Sequence, residues 1–150
     1  MTSATTPPRA PFGGGVFIAD TSAWSRAHRA DVRDEWAAAL RDGQIATCPI
    51  VNLELLYSAR SAADQLAADL AQLRDVPITR SVTNAALQAF RNLAHQRELL
   101  HRSIRLPDLL VAAAAEDAAL GVLHYDEDFD TLANVLHFES HWIAPRGSLA

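Results

Sequence analysis

The sequence predicts an α/β fold: a three-layer sandwich with a mostly parallel central sheet of about five strands. Three observations predict it. From Val16 onward, short β-prone runs alternate with longer helical patterns. The segments between those runs are long enough for helical crossovers, which parallel neighbours need and hairpins do not. At 150 residues, 49% apolar and 21% charged, the composition is ordinary for a globular chain, and this length buries roughly 70% of the unfolded surface around one core.

The elements follow in order. Val16-Phe17-Ile18-Ala19 reads as a buried strand ending at Asp20, with Thr21-Ser22 opening a short helix and a second helix over about Val32 to Arg41 that Gly43 stops. Gln44 to Cys48 is the second strand. Pro49 suits a first helical turn, so Ile50 to Ala59 reads as a helix, and Ser61 caps another that runs to about Arg74. Val76 to Thr79 is a weak third strand. Ser81 or Thr83 caps a helix to about Leu99, and a polar loop from His101 to Arg105 leads to Pro107 and a helix to Leu120 that Gly121 ends. Val122 to Tyr125 is the fourth strand, Phe129 to Ala133 a further helical turn, and Leu136 to Ile143 a last, edge-like strand. Residues 1–15, which hold three of the seven prolines and three of the six glycines, read as a flexible tail; residues 16–146 form the domain and residues 147–150 a short C-terminal tail.

Composition excludes several chemistries. The longest strictly apolar run is Leu109 to Ala115, far short of the roughly 20 residues of a membrane span. No signal-peptide core is visible, so a cytoplasmic protein is expected. Cys48 is the only cysteine, which removes internal disulfides and cysteine-rich zinc sites. All 13 basic side chains are Arg. The absence of Lys removes the P-loop, the protein-kinase set and Schiff-base catalysis.

Carboxylates stand where local structure alone does not demand them. Asp20 ends strand one, Glu54 interrupts the apolar helix Ile50 to Tyr57, Asp108 follows Pro107, and Asp126 with Asp128 follows strand four. Each has an ordinary reading as a helix cap, a first-turn acid or a solvent-facing residue. Ligands of such sheets bind outside the carboxyl ends of the strands, and the topology aims all five acids at that end. Packing them together is unfavourable unless a cation binds, and oxygen-only ligation suits Mg²⁺ or Mn²⁺. Such an ion can activate water against a phosphodiester, which points to a nuclease. The net charge of −5 does not oppose this: without those five, 13 of the 18 acids remain to balance 13 Arg.

At these residues the sequence resembles the PIN-domain family and, more narrowly, the VapC-type toxins. The resemblance covers about Val16 to Arg146 through Ile18-Ala19-Asp20-Thr21-Ser22-Ala23, Asn52-Leu53-Glu54-Leu55, Leu106 to Ala113 and His124-Tyr125-Asp126-Glu127-Asp128-Phe129-Asp130. It implies an Mg²⁺- or Mn²⁺-dependent endoribonuclease restrained by a cognate VapB-type antitoxin, with a folded RNA such as tRNA or rRNA as substrate. It assigns Asp20, Glu54, Asp108 and Asp126 as catalytic, with Asp128 an accessory acid beside Asp20, Asp108 and Asp126 at the metal. It leaves Thr21 and Ser22 as alternatives for a hydroxyl near the metal.

Arg102 and Arg105, just before Asp108, can hold RNA phosphates or simply solvate a loop. His124 reads as a packed core residue. Trp24, Trp36 and Tyr57 read as core or interface rather than base-stacking platforms, and the apolar supply of Trp24, Trp36, Leu53, Leu56 and Tyr57 predicts a homodimer and an antitoxin contact. A haloacid-dehalogenase-like phosphatase and a receiver-like domain both fail on the missing Lys. The alternative function is a PIN-like module that binds metal, RNA or antitoxin without cutting.

Overall fold

The structure, a computed structural model, describes residues 9–96 and 100–149, the side chains of Leu100 and His101 excepted. Among the described residues five strands form one sheet: β1 (Phe17–Ala19), β2 (Ile45–Thr47), β3 (Arg74–Asp75), β4 (Gly121–His124) and β5 (Ser140–Trp142). Their order is β3-β2-β1-β4-β5 and every pairing is parallel. The helices that make the crossovers are α1 (Thr21–Trp24), α2 (Arg33–Arg41), α3 (Pro49–Ser58), α4 (Ala63–Leu70), α5 (Arg80–Gln96), α6 (Leu100–Ser103), α7 (Leu106–Ala118) and α8 (Asp128–Leu132).

Strand periodicity divides the core in two. Ile18, Ala46 and Val122 face one side, where Val51, Val82, Leu93, Val111, Phe129 and Leu132 cover them; Phe17, Ala19, Ile45 and Leu123 face the other, against Ala23, Val32, Trp36 and Ala39. Successive residues thus point to opposite covered faces, which is why these strands are apolar throughout. In α7 the run Val111 to Ala115 is wholly buried. Alanines let that helix sit close to both the sheet and α5, so its path over the strand ends is tightly defined.

Several boundaries differ from expectation. The third strand lies at Arg74–Asp75 rather than Val76 to Thr79: Val76 N–H still donates to Thr47 O at 2.8 Å, but Pro77 has no N–H to carry the ladder further. Ser61 does not cap α4, which follows a 3₁₀ turn over Arg60–Ala62. The hydroxyl of Thr79, not of Ser81 or Thr83, accepts from the α5 backbone at Val82. The end expected for that helix at Leu99 lies outside the described residues, and the expected loop from His101 contains part of α6. α7 ends in Ala119 at a φ of 56°, with Leu120 N–H donating to Ala115 O at 2.9 Å. Gly121 instead opens β4.

Both expected tails are partly folded. Pro11–Gly14 form a 3₁₀ turn; Phe12 is buried; and Gln44 Nε2 donates to Pro11 O and Gly15 O at 2.7 and 2.9 Å. At the other end Leu149 is buried, and its N–H and carbonyl both bond the Tyr125 hydroxyl, at 2.8 and 2.9 Å. Apolar side chains at the two ends complete the second core, which α1 and α2 alone leave uncovered. Residues 1–8 and 150 lie outside the described residues. No described helix is long and apolar enough to cross a membrane.

Gly121 sits where a Cβ would meet Phe17 Cδ1 at 2.7 Å and the Glu139 carbonyl at 2.9 Å. Gly121→Ala must push apart β1 and the chain before β5, an overpacking expected to cost about 1–3 kcal/mol. Urea unfolding of variant and parent checks this; unchanged stability would show that the close approach is not rigid.

Candidate functional site

Parallel pairing sets β1 and β4 side by side with Ala19 opposite Leu123, so Asp20 and the residues after His124 emerge at the same sheet edge. Asp20 N–H completes the junction by donating to Leu123 O at 2.9 Å. Just past β4, two backbone N–H groups leave the ladder and are received by side chains. Tyr125 N–H donates to Ser22 Oγ at 2.9 Å, and Asp126 N–H to His124 Nδ1 at 3.1 Å. α7 feeds directly into β4 and so runs back over the sheet, which brings its first turn, with Asp108, to the strand ends. α3, starting after β2, brings Glu54 to the same edge.

Asp20 is 2% exposed and Asp108 1%. Asp20 is the N-cap of α1, as its ordinary reading requires: Oδ2 accepts from Ser22 N–H at 3.0 Å and from Ser22 Oγ at 2.6 Å. Its Oδ1, however, is buried without a hydrogen-bond partner among the described residues, as are Asp108 Oδ2 and Glu54 Oε1. Capping therefore accounts for half of the Asp20 carboxylate. Asp108, Asp126 and Asp128 each offer an oxygen within 4.8 Å of the others, and Asp128 N–H holds Asp126 Oδ1 at 3.0 Å. Asp20 stands beside this group of three rather than within it.

The electrostatics follow from that crowding. Asp108 is pushed up to about 7, by burial first and then by the charges of Asp20 and Asp126. Burial raises Asp20 too, against the hydrogen bonds from Ser22, and raises Asp128, with Asp126 adding to it. Three orphaned carboxylate oxygens among buried acids of one sign fit a hard divalent cation, whose ligands are oxygens. The residues present thus suit such an ion.

Of the two hydroxyls left open by sequence, that of Ser22 reaches Asp20, while Thr21 lines an adjoining cavity of about 750 Å³ with Trp24, Leu53, Glu54, Tyr57 and Arg105. Arg105 reaches the site, its Nη2 donating to Glu54 Oε2 at 3.0 Å. Arg102 is exposed on α6, and among the described residues no contact ties it to the acids. Trp36 is core, packed edge-on against Trp24 at 4.9 Å. Tyr57 departs from the core reading, being 92% exposed. His124 is buried as expected; burial lowers it to about 4, so the ring is neutral. Sequence reasoning missed what that ring holds because the ring's rotamer is set by packing, and missed the Ser22–Tyr125 bridge and the Glu54–Arg105 pair because each joins elements distant in sequence.

The raised acids give apo stability a definite pH dependence. A carboxyl whose folded pKa exceeds its unfolded value binds more protons when folded, so stability rises as pH falls through the folded pKa. With Asp108 at about 7 against 3.8 unfolded, stability in chelator should grow from about pH 8 to about pH 5. Asp108→Asn should flatten that dependence and melt at or above the parent in chelator near neutral pH. Mn²⁺ at about 100-fold over its dissociation constant adds about 2.7 kcal/mol to a form that binds it, so Mn²⁺ should reverse the order. Thermal melts that place the variant equally low with and without Mn²⁺ would remove Asp108 from the site.

Known proteins share this fold and much of this sequence. The PIN domain family matches residues 17–135. Ribonuclease VapC18 of Mycobacterium tuberculosis is 46% identical over 136 residues, covering 89% of this chain and 99% of the relative. Ribonuclease VapC51 of the same organism is 36% identical over 135 residues, covering 89% and 96%. Among solved structures, VapBC-5 of M. tuberculosis aligns with a TM-score of 0.59 at 24% identity over 84% of this chain and 97% of its own. DNA-bound VapBC of Salmonella typhimurium aligns with a TM-score of 0.65 at 16% identity over 86% and 98%. The structural likenesses establish the fold. With the family match over most of the domain and relatives aligned nearly end to end, this chain belongs to the PIN-domain family and, within it, to the VapC ribonucleases.

Proposed function

We propose that this protein is an Mg²⁺- or Mn²⁺-dependent endoribonuclease and the toxin of a toxin–antitoxin pair. The observation that carries the reading is the set of orphaned carboxylate oxygens on Asp20, Asp108 and Glu54 beside the group Asp108, Asp126 and Asp128. Asp20, Asp108, Asp126 and Asp128 would hold the ion. Bound there, a divalent cation supplies an acidified water and neutralises charge on the phosphodiester.

The chain's own groups do the rest. Ser22 fixes the Asp20 carboxylate through two hydrogen bonds. Arg105 holds one oxygen of Glu54, leaving the other to accept a proton from the attacking water. Water attacks phosphorus and the bond to the 3′-oxygen breaks, leaving 5′-phosphate and 3′-hydroxyl ends. No histidine pair flanks the acids among the described residues to drive attack by a 2′-hydroxyl. Arg105 also faces the acids from the solvent side, where its guanidinium can meet a substrate phosphate.

Folded RNAs such as tRNA or rRNA, incubated with Mg²⁺, with Mn²⁺ or with chelator, test this directly. Cleavage should require the metal, and Asp20→Asn should lower it by about 100-fold or more. End-labelled products carrying 2′,3′-cyclic phosphate would overturn the reading, and RNA bound but left intact would establish the non-cleaving alternative.

The partners rest on the exposed apolar residues. Leu53 and Tyr57, 66% and 92% exposed, lie on α3 beside Glu54, and suit an antitoxin segment that anchors apolar side chains there and lays a basic residue over the acids. A separate groove between α5 and α7, lined by Ala86, Leu87, Phe90, Leu106, Leu109 and Leu110, suits a homodimer. Tyr57→Ala should weaken inhibition by the antitoxin by about 2 kcal/mol, roughly 30-fold, with cleavage retained. Leu87→Asp should shift light scattering from dimer to monomer; a parent that is monomeric at micromolar concentration removes the dimer.

A further inference from the structure

His124 lies at the end of β4 with no exposed surface, and every polar atom of its ring is engaged. Nδ1 accepts the Asp126 N–H at 3.1 Å, so the ring proton is on Nε2, which donates to Ser140 Oγ at 2.7 Å. Ser140 Oγ in turn donates to Asp130 Oδ1 at 2.6 Å, and Trp142 Nε1 donates to Asp130 Oδ2 at 3.0 Å. Phe129 and Trp142 hold the imidazole between them at centroid distances of 5.0 and 5.1 Å. The chain of bonds crosses three elements, from α8 through β5 to β4, and ends on the backbone of a cluster acid.

Packing alone does not call for a histidine here. An apolar residue would fill the same space but would take away the acceptor of the part-buried Asp126 N–H, because the β4–β5 ladder closes with Ile143 N–H on His124 O at 2.8 Å. Asp126 is the hinge of the site: its N–H is aimed by the ring while its own carboxylate accepts from Asp128 N–H. Fixing that N–H fixes the Tyr125–Asp126 peptide plane that leads into Asp126, and the bond from Asp128 N–H to Asp126 Oδ1 carries the constraint on to Asp128.

We propose that His124, Ser140 and Asp130 form a positioning relay that sets the Asp126–Asp128 turn at the spacing a divalent cation requires. The relay rests on the reading of the acids as a cation site. Hydrogen-bond partners behind metal ligands commonly change metal affinity by about 10- to 100-fold, whereas a merely structural serine on an edge strand would change melting and leave the Mn²⁺ affinity of the folded protein at the parental value.

Calorimetric titration of the RNA-free full chain with Mn²⁺ alone tests it, beside melting in chelator. Ser140→Ala leaves the buried Nε2–H unpaired and should lower the melting temperature in chelator, but titrated well below that melting point it should also bind Mn²⁺ about 10-fold more weakly, and Ser140→Thr, which keeps a hydroxyl, should restore affinity. A second pair needs no change at Ser140. In His124→Asn the side-chain oxygen can stand where Nδ1 stood, so affinity should stay within about 3-fold of the parent, while His124→Gln, which reaches towards Ser140 instead, should lose about 10-fold. Parental affinity in Ser140→Ala, or equal affinities in His124→Asn and His124→Gln, would overturn the relay while leaving the cation site standing. A parent that binds no Mn²⁺ would overturn both.

Discussion

Burying Asp20 and Asp108 together, at 2% and 1% exposure, is the demand around which the rest of this molecule is organised. A carboxyl at about 7 rather than 3.8 is disfavoured as an anion by on the order of 4 kcal/mol. That value already includes the attraction of Arg105, which opposes the acids only from the solvent side, and the first-turn position of Asp108 in α7 returns only about 0.3–1 kcal/mol. These local compensations do not offset the burial. What remains is a free-energy deficit that a bound cation would remove, so the crowding that destabilises the fold is the crowding the proposed cation would relieve.

The fold concentrates this deficit at one edge and compensates for it elsewhere. Parallel pairing makes the carboxyl ends of β1 and β4 coincide, and the all-alanine stretch of α7 lets a helix start close above them. The two buried cores on opposite faces of the sheet supply the stability that holds like charges in place. Even the chain ends contribute, since Phe12 and Leu149 close the second core, and Tyr125, adjacent to Asp126, is tied to Leu149. A change at Leu149 therefore acts on the backbone that leads into the site.

Much of this was legible in the sequence where the signal was local. Apolar runs such as Val16 to Ala19 gave away strands buried on both faces, and acids directly after such runs marked the candidate site. β3 was misplaced because its two residues, Arg74 and Asp75, are exposed and charged, so no hydrophobic pattern marks them. The caps at Thr79 and Ala119 were missed because neighbouring Ser81 and Gly121 are the usual cap residues; here Ser81 bonds Asp117 and Gly121 yields space to Phe17. The distinction between Thr21 and Ser22, the exposure of Tyr57 and the engagement of His124 by Ser140 depend on which helix face or strand register is realised. None of these leaves a mark in a single stretch of sequence.

The pair between Glu54 and Arg105 shows how interaction energy and function separate at such a site. With the Arg105 side chain 58% exposed and that of Glu54 23%, an ion pair of this kind contributes about 0–1 kcal/mol to folding. Its consequence is geometric. The guanidinium takes Glu54 Oε2 and leaves Oε1 buried and unpaired, which presents one oxygen rather than a freely rotating carboxylate to the acid cluster. A lysine in place of Arg105 would keep the charge but, as a flexible point donor, would orient the carboxylate less firmly. An orphaned acceptor of this kind weakens the resting fold and is useful only when something with a proton or a positive charge arrives. Asp20 Oδ1 and Asp108 Oδ2 are in the same condition, so the β1–α1 junction, α3 and α7 each carry one unsatisfied oxygen at this edge of the sheet.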